Sequence, residues 1–114
     1  MPSESRRLRH LAAAKVETPI GTLDDVVVVS PTDSQLGKVE GIIVDPEEKH
    51  VRYYVVESRD WFTTHRYLVP DAPRRIDWRR KALQVELDAD GLSHLRELRK
   101  DEFPPLSDED LKPT

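Results

Sequence analysis

The chain has 114 residues, of which 37% are hydrophobic and 35% charged, and its formal net charge is −4 at pH 7. A chain of this size builds one small core, which argues against two-domain enzymes, large cofactor folds and repeat arrays. It contains no cysteine, which excludes disulfides, cysteine zinc sites, iron–sulfur clusters and thiol nucleophiles, and favours a cytoplasmic location.

The distribution of apolar and charged residues restricts the partners. The longest apolar run, Val26–Val29, is far shorter than the ~20 residues that span a bilayer, so we expect no direct membrane insertion. Residues 1–23 are mildly basic and residues 101–114 are acidic. This pattern is typical of solvated tails and not of a nucleic-acid binder, which needs a coherent positive face.

The N-terminal part, residues 1–20, is predicted to be a tail. Between Leu8 and Lys15, apolar residues recur at helical spacing, which predicts a short amphipathic helix. Pro19 should end it, because the residue before a proline avoids the helical conformation.

Residues 21–100 are predicted to form the folded domain, built from short strands rich in β-branched and aromatic residues. The predicted strands are Val26–Val29, Lys38–Asp45, Val51–Glu57, Arg66–Val69, Arg74–Trp78 and Ala82–Leu87. Five or six short strands without long intervening helices predict a mainly all-β fold, namely a small antiparallel barrel or sandwich. We expect its own aliphatic side chains to fill the interior and leave no pocket for chemistry.

Individual residues predict the turns of this sheet and whether one or both of its faces are buried. Gly37 is predicted to adopt a backbone conformation that side chains resist. In the next turn, the Asp45 carboxylate can accept hydrogen bonds from the backbone that follows it. The segment Val51–Glu57 is apolar on both faces except at Arg52, which predicts a strand that is covered on both sides or curls inside a closed sheet.

The C-terminal part is predicted to contain a helix and an acidic segment. Leucines recur every three residues from Leu92 to Leu98, which predicts a helix over about residues 90–100, with Asp90 as its cap. Residues 101–114 contain prolines and acidic residues, and form either a loose tail or a strap across the barrel.

Five segments between about Leu23 and Leu87 occur in a characteristic order. They are Leu36-Gly37-Lys38-Val39, Ile43-Val44-Asp45-Pro46, Val51–Val56, Arg66-Tyr67-Leu68-Val69-Pro70 and Leu83–Leu87. Together they resemble the PRC-barrel family. That family is a strongly bent antiparallel β-barrel found in the photosynthetic reaction-centre H subunit, a ribosome maturation factor and stand-alone prokaryotic proteins.

The resemblance implies a protein-interaction or adaptor module that assembles or regulates a larger complex and is not an enzyme. Neither a transmembrane helix nor a second barrel precedes the matching segment, so we expect a free-standing, self-associating member, most simply a homodimer. Two alternatives stay open: a ribosome- or RNA-associated maturation factor, and a regulatory protein related to the reaction-centre H subunit. The identity of the protein partner is left open.

Candidate catalytic and metal-binding residues are few. Ser58, Asp60 and His65 have the residue types for acid–base or nucleophilic catalysis, but no spacing pairs a base with a nucleophile. The four histidines, His10, His50, His65 and His94, lack metal-ligand spacing. We therefore predict no catalytic residue, no metal site and no cofactor.

Two clusters are candidate contact surfaces. The densest positive cluster consists of Arg74, Arg75, Arg79, Arg80 and Lys81. It either contacts RNA or an acidic partner, or is a solvated hairpin whose charges keep an edge strand from pairing with other chains; we favour the second, which makes nucleic acid the less favoured partner.

The aromatic pair Trp61 and Phe62 lies in a polar connection between two predicted strands. The pair either folds back over an open barrel end or forms a protruding apolar patch that binds a second copy or another protein. Self-association is expected through this loop or through an edge strand.

Overall fold

The computed structural model describes residues 8–18, 21–48, 50–59, 62–70, 75–77, 79–99 and 102–107, with the backbone alone at residues 75 and 76. Its strands are β1 (Arg9–Ala12), β2 (Glu17–Thr18), β3 (Gly21–Thr22), β4 (Val27–Val29), β5 (Gln35–Asp45), β6 (His50–Arg59), β7 (Thr64–Pro70), β8 (Arg75–Asp77) and β9 (Ala82–Gln84). Short 3-10 helices cover Ala13–Lys15 and Leu23–Asp25, and one helix, α1, covers Ala89–Ser93.

Seven of the described strands form one sheet. Its order is β7-β6-β5-β4-β9-β8, and β1 pairs with β5 outside this order. Because β5 is 11 residues long, one of its edges pairs with β4 near its start and with β1 near its end. Its other edge pairs with β6, and two register shifts there bend the hairpin.

The predicted all-β fold is confirmed, but the closed antiparallel barrel of five or six strands is wrong. Strands β4 and β9 run parallel, and β7 and β8 end the sheet without pairing to each other in the described part of the chain. Turn spacing predicts pairing only between strands that follow one another, whereas β9 pairs with β4 although four strands lie between them in the chain.

Both predicted terminal helices differ from the structure. The segment predicted as an N-terminal helix is β1, which pairs with the second half of β5 from Arg9 opposite Val44 to Ala12 opposite Gly41. Pairing with β5 overrides the local helical spacing because it buries Leu8 and Ala13 at the two ends of β1. The C-terminal helix ends at Ser93 instead of residue 100.

The cap of α1 also differs from the prediction. The Asp88 side chain, not that of Asp90, accepts the hydrogen bond from the Gly91 backbone at 2.8 Å. Beyond the helix the chain pairs with β7 instead: Leu68 N donates to Arg96 O at 2.9 Å, and Leu98 N donates to Arg66 O at 2.8 Å. Backbone pairing with an open strand edge therefore replaces further helical turns.

Apolar side chains are buried on both faces of the sheet, as the apolar character of β6 predicts. Val55 and Val56 are consecutive and both fully buried. Val56 belongs to the larger cluster of buried residues. Val55 belongs to a smaller one, whose members are Leu8, Ile43, Val55, Leu68 and Phe103.

The turn between β5 and β6 confirms the role expected for Asp45. Its Oδ1 accepts hydrogen bonds from the backbone N of Glu47 at 3.0 Å and of Glu48 at 3.3 Å. The carboxyl side chain is fully buried. The prediction for Gly37 was wrong in its reason: its φ is not positive, and a Cβ there would instead lie 2.2 Å from the carbonyl oxygen of Glu57.

The C-terminal segment forms a strap and not a loose tail, as far as it is described. We define the strap as residues 95–99 and 102–107. It first pairs with β7 and then reaches β1, where His10 N donates to Pro104 O and Leu106 N donates to His10 O, both at 2.9 Å. Phe103 of the strap packs into the smaller core cluster. The strap thus covers part of the outer edges of β1 and β7.

Candidate interaction surfaces

The loop between β6 and β7 presents one large aromatic side chain to solvent. Phe62 is 94% exposed, and no other large hydrophobic side chain of the described residues is exposed in this way. Trp61, its predicted companion, lies outside the described residues. The Phe62 side chain is therefore not folded back over an end of the sheet, and its role at an interface stays a prediction.

A histidine connects this loop to the strap. His65 Nδ1 lies 2.7 Å from Glu97 Oε1, and His65 Nε2 lies 3.0 Å from Thr63 Oγ1. The imidazole also stacks on Tyr67, with ring centroids 5.9 Å apart and planes inclined by 23°. The residue that follows Phe62 is thus hydrogen-bonded to a side chain which is itself bonded to the strap.

The three residues that were weighed for catalysis and not assigned to it, Ser58, Asp60 and His65, are brought together only in part. Ser58 lies opposite His65 in the register of β6 and β7, and Asp60 lies outside the described residues. The two imidazole nitrogens contact Thr63 and Glu97, residues that the sequence analysis did not consider. Glu97 could not be found by spacing, because it is 32 residues from His65 and meets it only through the pairing of the strap with β7.

The basic hairpin between β8 and β9 forms as predicted, with Ile76 opposite Leu83. In its turn, Asp77 Oδ1 accepts from Arg79 N at 3.0 Å and from Arg80 N at 3.2 Å, and Lys81 adopts a positive φ of 54°. The acidic side chain of Asp77 therefore lies within this positive cluster.

The five basic residues are described to different extents. Arg79, Arg80 and Lys81 are exposed, Arg74 lies outside the described residues, and Arg75 is described by its backbone alone. Arg80 Nη2 lies 3.4 Å from Asp33 Oδ1, a surface ion pair that reduces the positive charge which the hairpin can offer to a partner.

A groove that the sequence analysis missed lies beside the strap. It has a volume of about 410 Å³ and is lined by His10, Glu40, Arg66, Leu98, Arg99, Glu102, Phe103 and Pro105. The expectation that the domain offers no pocket is wrong at this surface. Its residues come from β1, β5, β7 and the strap, which no local pattern connects.

Ion pairs set the electrostatics of the groove. Arg66 Nε donates to Glu40 Oε2; this hydrogen bond and the charge of Glu40 raise the pKa of Arg66, and Glu57 adds a smaller contribution. In the strap, Arg96 donates to Glu102 Oε2, and Glu102 Oε1 accepts from Arg99 N at 3.2 Å. Buried within the same groove, His10 Nε2 has no hydrogen-bond partner among the described residues.

Two further findings concern function classes. Within the described ranges, no three histidine, aspartate or glutamate side chains are grouped so that they could hold a metal ion. A search of the same residues for a helix of sufficient length and apolarity to traverse a bilayer found none.

A bent β-sheet with a short helix, an exposed aromatic side chain and a strap along two strand edges defines a small β-rich domain. The PRC-barrel domain model matches residues 27–92, more than half of the chain, and the chain belongs to this family. Membership confirms the resemblance drawn from the sequence and indicates, in general terms, a protein-interaction module. No curated protein matches the chain.

Proposed function

We propose that the chain is a non-enzymatic adaptor of the PRC-barrel type, which self-associates through the loop that carries Phe62 and thereby assembles or regulates a larger cytoplasmic complex. The observation that supports this proposal is the 94% exposure of the Phe62 side chain. Solvent-exposed aromatic side chains are typical anchors of protein interfaces, because burying one contributes much of the binding free energy.

The attachment of the loop favours this use. The bonds from Thr63 to His65 and from His65 to Glu97 hold the residue next to Phe62 against β7 and the strap. A held loop loses less conformational entropy on binding than a free one. The end strand β8 is a less favoured route, because it has only 3 residues and strand addition gains affinity from each main-chain hydrogen bond.

The test is sedimentation velocity over a series of protein concentrations, comparing the parent chain with Phe62→Ala and with Thr64→Ala. Thr64 is an exposed neighbour on β7 and serves as the matched control. We expect Phe62→Ala alone to weaken self-association, by about tenfold, which corresponds to about 1.4 kcal/mol. Equal association of all three proteins would contradict the proposal.

Trp61→Ala extends this test to the other half of the predicted aromatic pair. Loss of self-association at an unchanged melting temperature would assign Trp61 to the interface. A strong decrease in melting temperature would assign it to the core, and the interface would then rest on Phe62 alone.

The non-enzymatic part of the proposal has its own test, because Thr63, His65 and Glu97 have the residue types of a nucleophilic triad. The exposure of Thr63 on a loop argues against catalysis, since acyl transfer needs a water-excluding site with oxyanion donors. We expect the parent chain and His65→Ala to hydrolyse p-nitrophenyl acetate equally slowly. A faster parent chain would indicate catalysis.

A further inference from the structure

The strap binds to the rest of the domain in the way that a peptide ligand binds to a sheet edge. Both backbone groups of His10 are used, since its N donates to Pro104 O and its O accepts from Leu106 N, each at 2.9 Å. His10 and Pro105 form a parallel bridge. Main-chain hydrogen bonds to an open strand edge are the basis of strand-addition recognition.

An anchoring side chain gives this contact its specificity. Phe103 is only 7% exposed and packs with Leu8, Ile43, Val55 and Leu68. These four residues and the outer edge of β1 form what we call the docking surface. An aromatic side chain of this kind buries about 150–250 Å², so Phe103 provides the main apolar contact of the strap.

One turn separates the two halves of the strap. Glu102 N donates to Arg99 O at 3.1 Å, and the Glu102 carboxylate is held by Arg96 and by Arg99 N. If this turn opens, the half with Phe103 leaves the docking surface, while the strands of the sheet keep their pairing. The same half of another copy fits the vacated surface, because its sequence is identical.

We propose that two copies of the chain exchange the half of the strap that contains Phe103. Phe103 of each copy then packs on the docking surface of the other copy. The partner is thus a second copy, and the contact is reciprocal. This inference goes beyond the proposed association through Phe62, because the exchanged half of the strap, residues 102–107, does not contain Glu97, which holds the Phe62 loop. The tethered strap competes at an effective concentration that is millimolar for short connections, so exchange increases with protein concentration.

The absence of native cysteines permits a specific test in the full chain. Copies with His10→Cys are mixed with differently tagged copies with Pro105→Cys in a glutathione redox buffer, and mixed disulfides are quantified by mass spectrometry. In the control, Ser93→Cys, at an exposed position of α1, replaces Pro105→Cys. We expect the His10–Pro105 combination to exceed the control at least about tenfold, as proximity increases the effective concentration. Equal yields would overturn the proposal.

A deletion variant tests the same inference without a disulfide. Removing residues 100–101 joins Arg99 directly to Glu102, and a hinge shortened in this way favours exchange of the strap between copies. We expect this variant to be a dimer by light scattering and to return to a monomer when Phe103→Ala is added. A dimer that survives Phe103→Ala, or a deletion variant that stays monomeric, would overturn strap exchange. Both variants are made in a Phe62→Ala background, so that failure of one association route is distinguishable from failure of the other.

Discussion

Gly37 of β5 lies so close to Glu57 of β6 that these two strands could not keep their present spacing with any other residue at position 37. A Cβ at Gly37 would be 2.2 Å from the carbonyl oxygen of Glu57 and 3.2 Å from Cγ1 of Val56. The neighbour is backbone of β6, which cannot move aside as a flexible side chain could. This contact explains the glycine of the Leu36-Gly37-Lys38-Val39 segment that carries the family resemblance.

We therefore expect Gly37→Ala to destabilise the fold by about 1–3 kcal/mol, the usual range for overpacking. The measurement is the free energy of unfolding from urea denaturation. Gly91→Ala is the matched control, because the nearest atom to its new Cβ is Cδ2 of Leu87 at 3.1 Å. Alanine also favours the helix α1 by up to about 1 kcal/mol. Similar destabilisation by both substitutions would show that the contact with Glu57 is unimportant.

The two phenylalanines of the chain have opposite environments, which predicts opposite effects of removing them. Phe103→Ala should reduce the free energy of unfolding by about 3–5 kcal/mol, since it leaves a cavity in the smaller core cluster. Phe62→Ala should change it by less than about 0.5 kcal/mol, because the side chain is exposed. Thermal and urea unfolding of both variants measure this contrast; a stability loss from Phe62→Ala as large as that from Phe103→Ala would contradict the assignment.

Asp45 stabilises the β5–β6 turn through a carboxylate oxygen that accepts two backbone hydrogen bonds. Asp45→Ala leaves these donors without their acceptor in a part-buried turn, and we expect a loss of about 1–2 kcal/mol. Asp45→Asn keeps an oxygen at the same place and should lose less. Urea denaturation compares the two variants, and equal losses would indicate that the charge matters more than the hydrogen bonds.

Much of the fold could be predicted from the sequence because its information is local. The turn at Asp45, the hairpin between β8 and β9 and the buried pair Val55 and Val56 follow from residue types and alternation over a few positions. The parallel pairing of β4 with β9 could not be predicted in this way, because it depends on the path of the chain through the four strands between them.

The candidate contact surfaces show the same difference between local signals, which can be predicted, and contacts between distant residues, which cannot. Phe62 was found because a large aromatic in a polar loop is a local signal, and Phe103 carries the same signal among acidic residues and prolines, although it was not recognised. His10, Glu40 and Arg66 were not considered as a group because they are distant in sequence and meet only at the groove. The helical spacing between Leu8 and Lys15 led to a wrong prediction of a helix, because pairing with β5 outweighs local propensity.

The Glu40–Arg66 pair at the groove should contribute little to stability, since both side chains are partly exposed. A double-mutant cycle with Glu40→Gln and Arg66→Gln should give a coupling of about 0–1 kcal/mol that decreases with salt. The raised pKa of Arg66 means that its contribution is present below the ordinary arginine value and is lost only as the pH rises through the higher folded value. The coupling should therefore be constant from neutral to mildly alkaline pH, and a decrease there would contradict the assigned pair.

The basic hairpin distinguishes the adaptor proposal from the RNA-associated alternative. Binding to RNA through Arg79, Arg80 and Lys81 would release counterions, so the affinity would fall steeply as salt increases. We expect instead only weak binding, because Asp33 already pairs with Arg80 and the Asp77 carboxylate lies in the same turn. Fluorescence anisotropy with a labelled single-stranded RNA, over a series of salt concentrations, measures this, with Arg79→Gln as the test variant and Arg99→Gln as a charge-matched control outside the hairpin. Tight binding that is weakened by both salt and Arg79→Gln, but not by Arg99→Gln, would favour the RNA-associated function, because only a contact made by the hairpin itself responds to all three changes in that way.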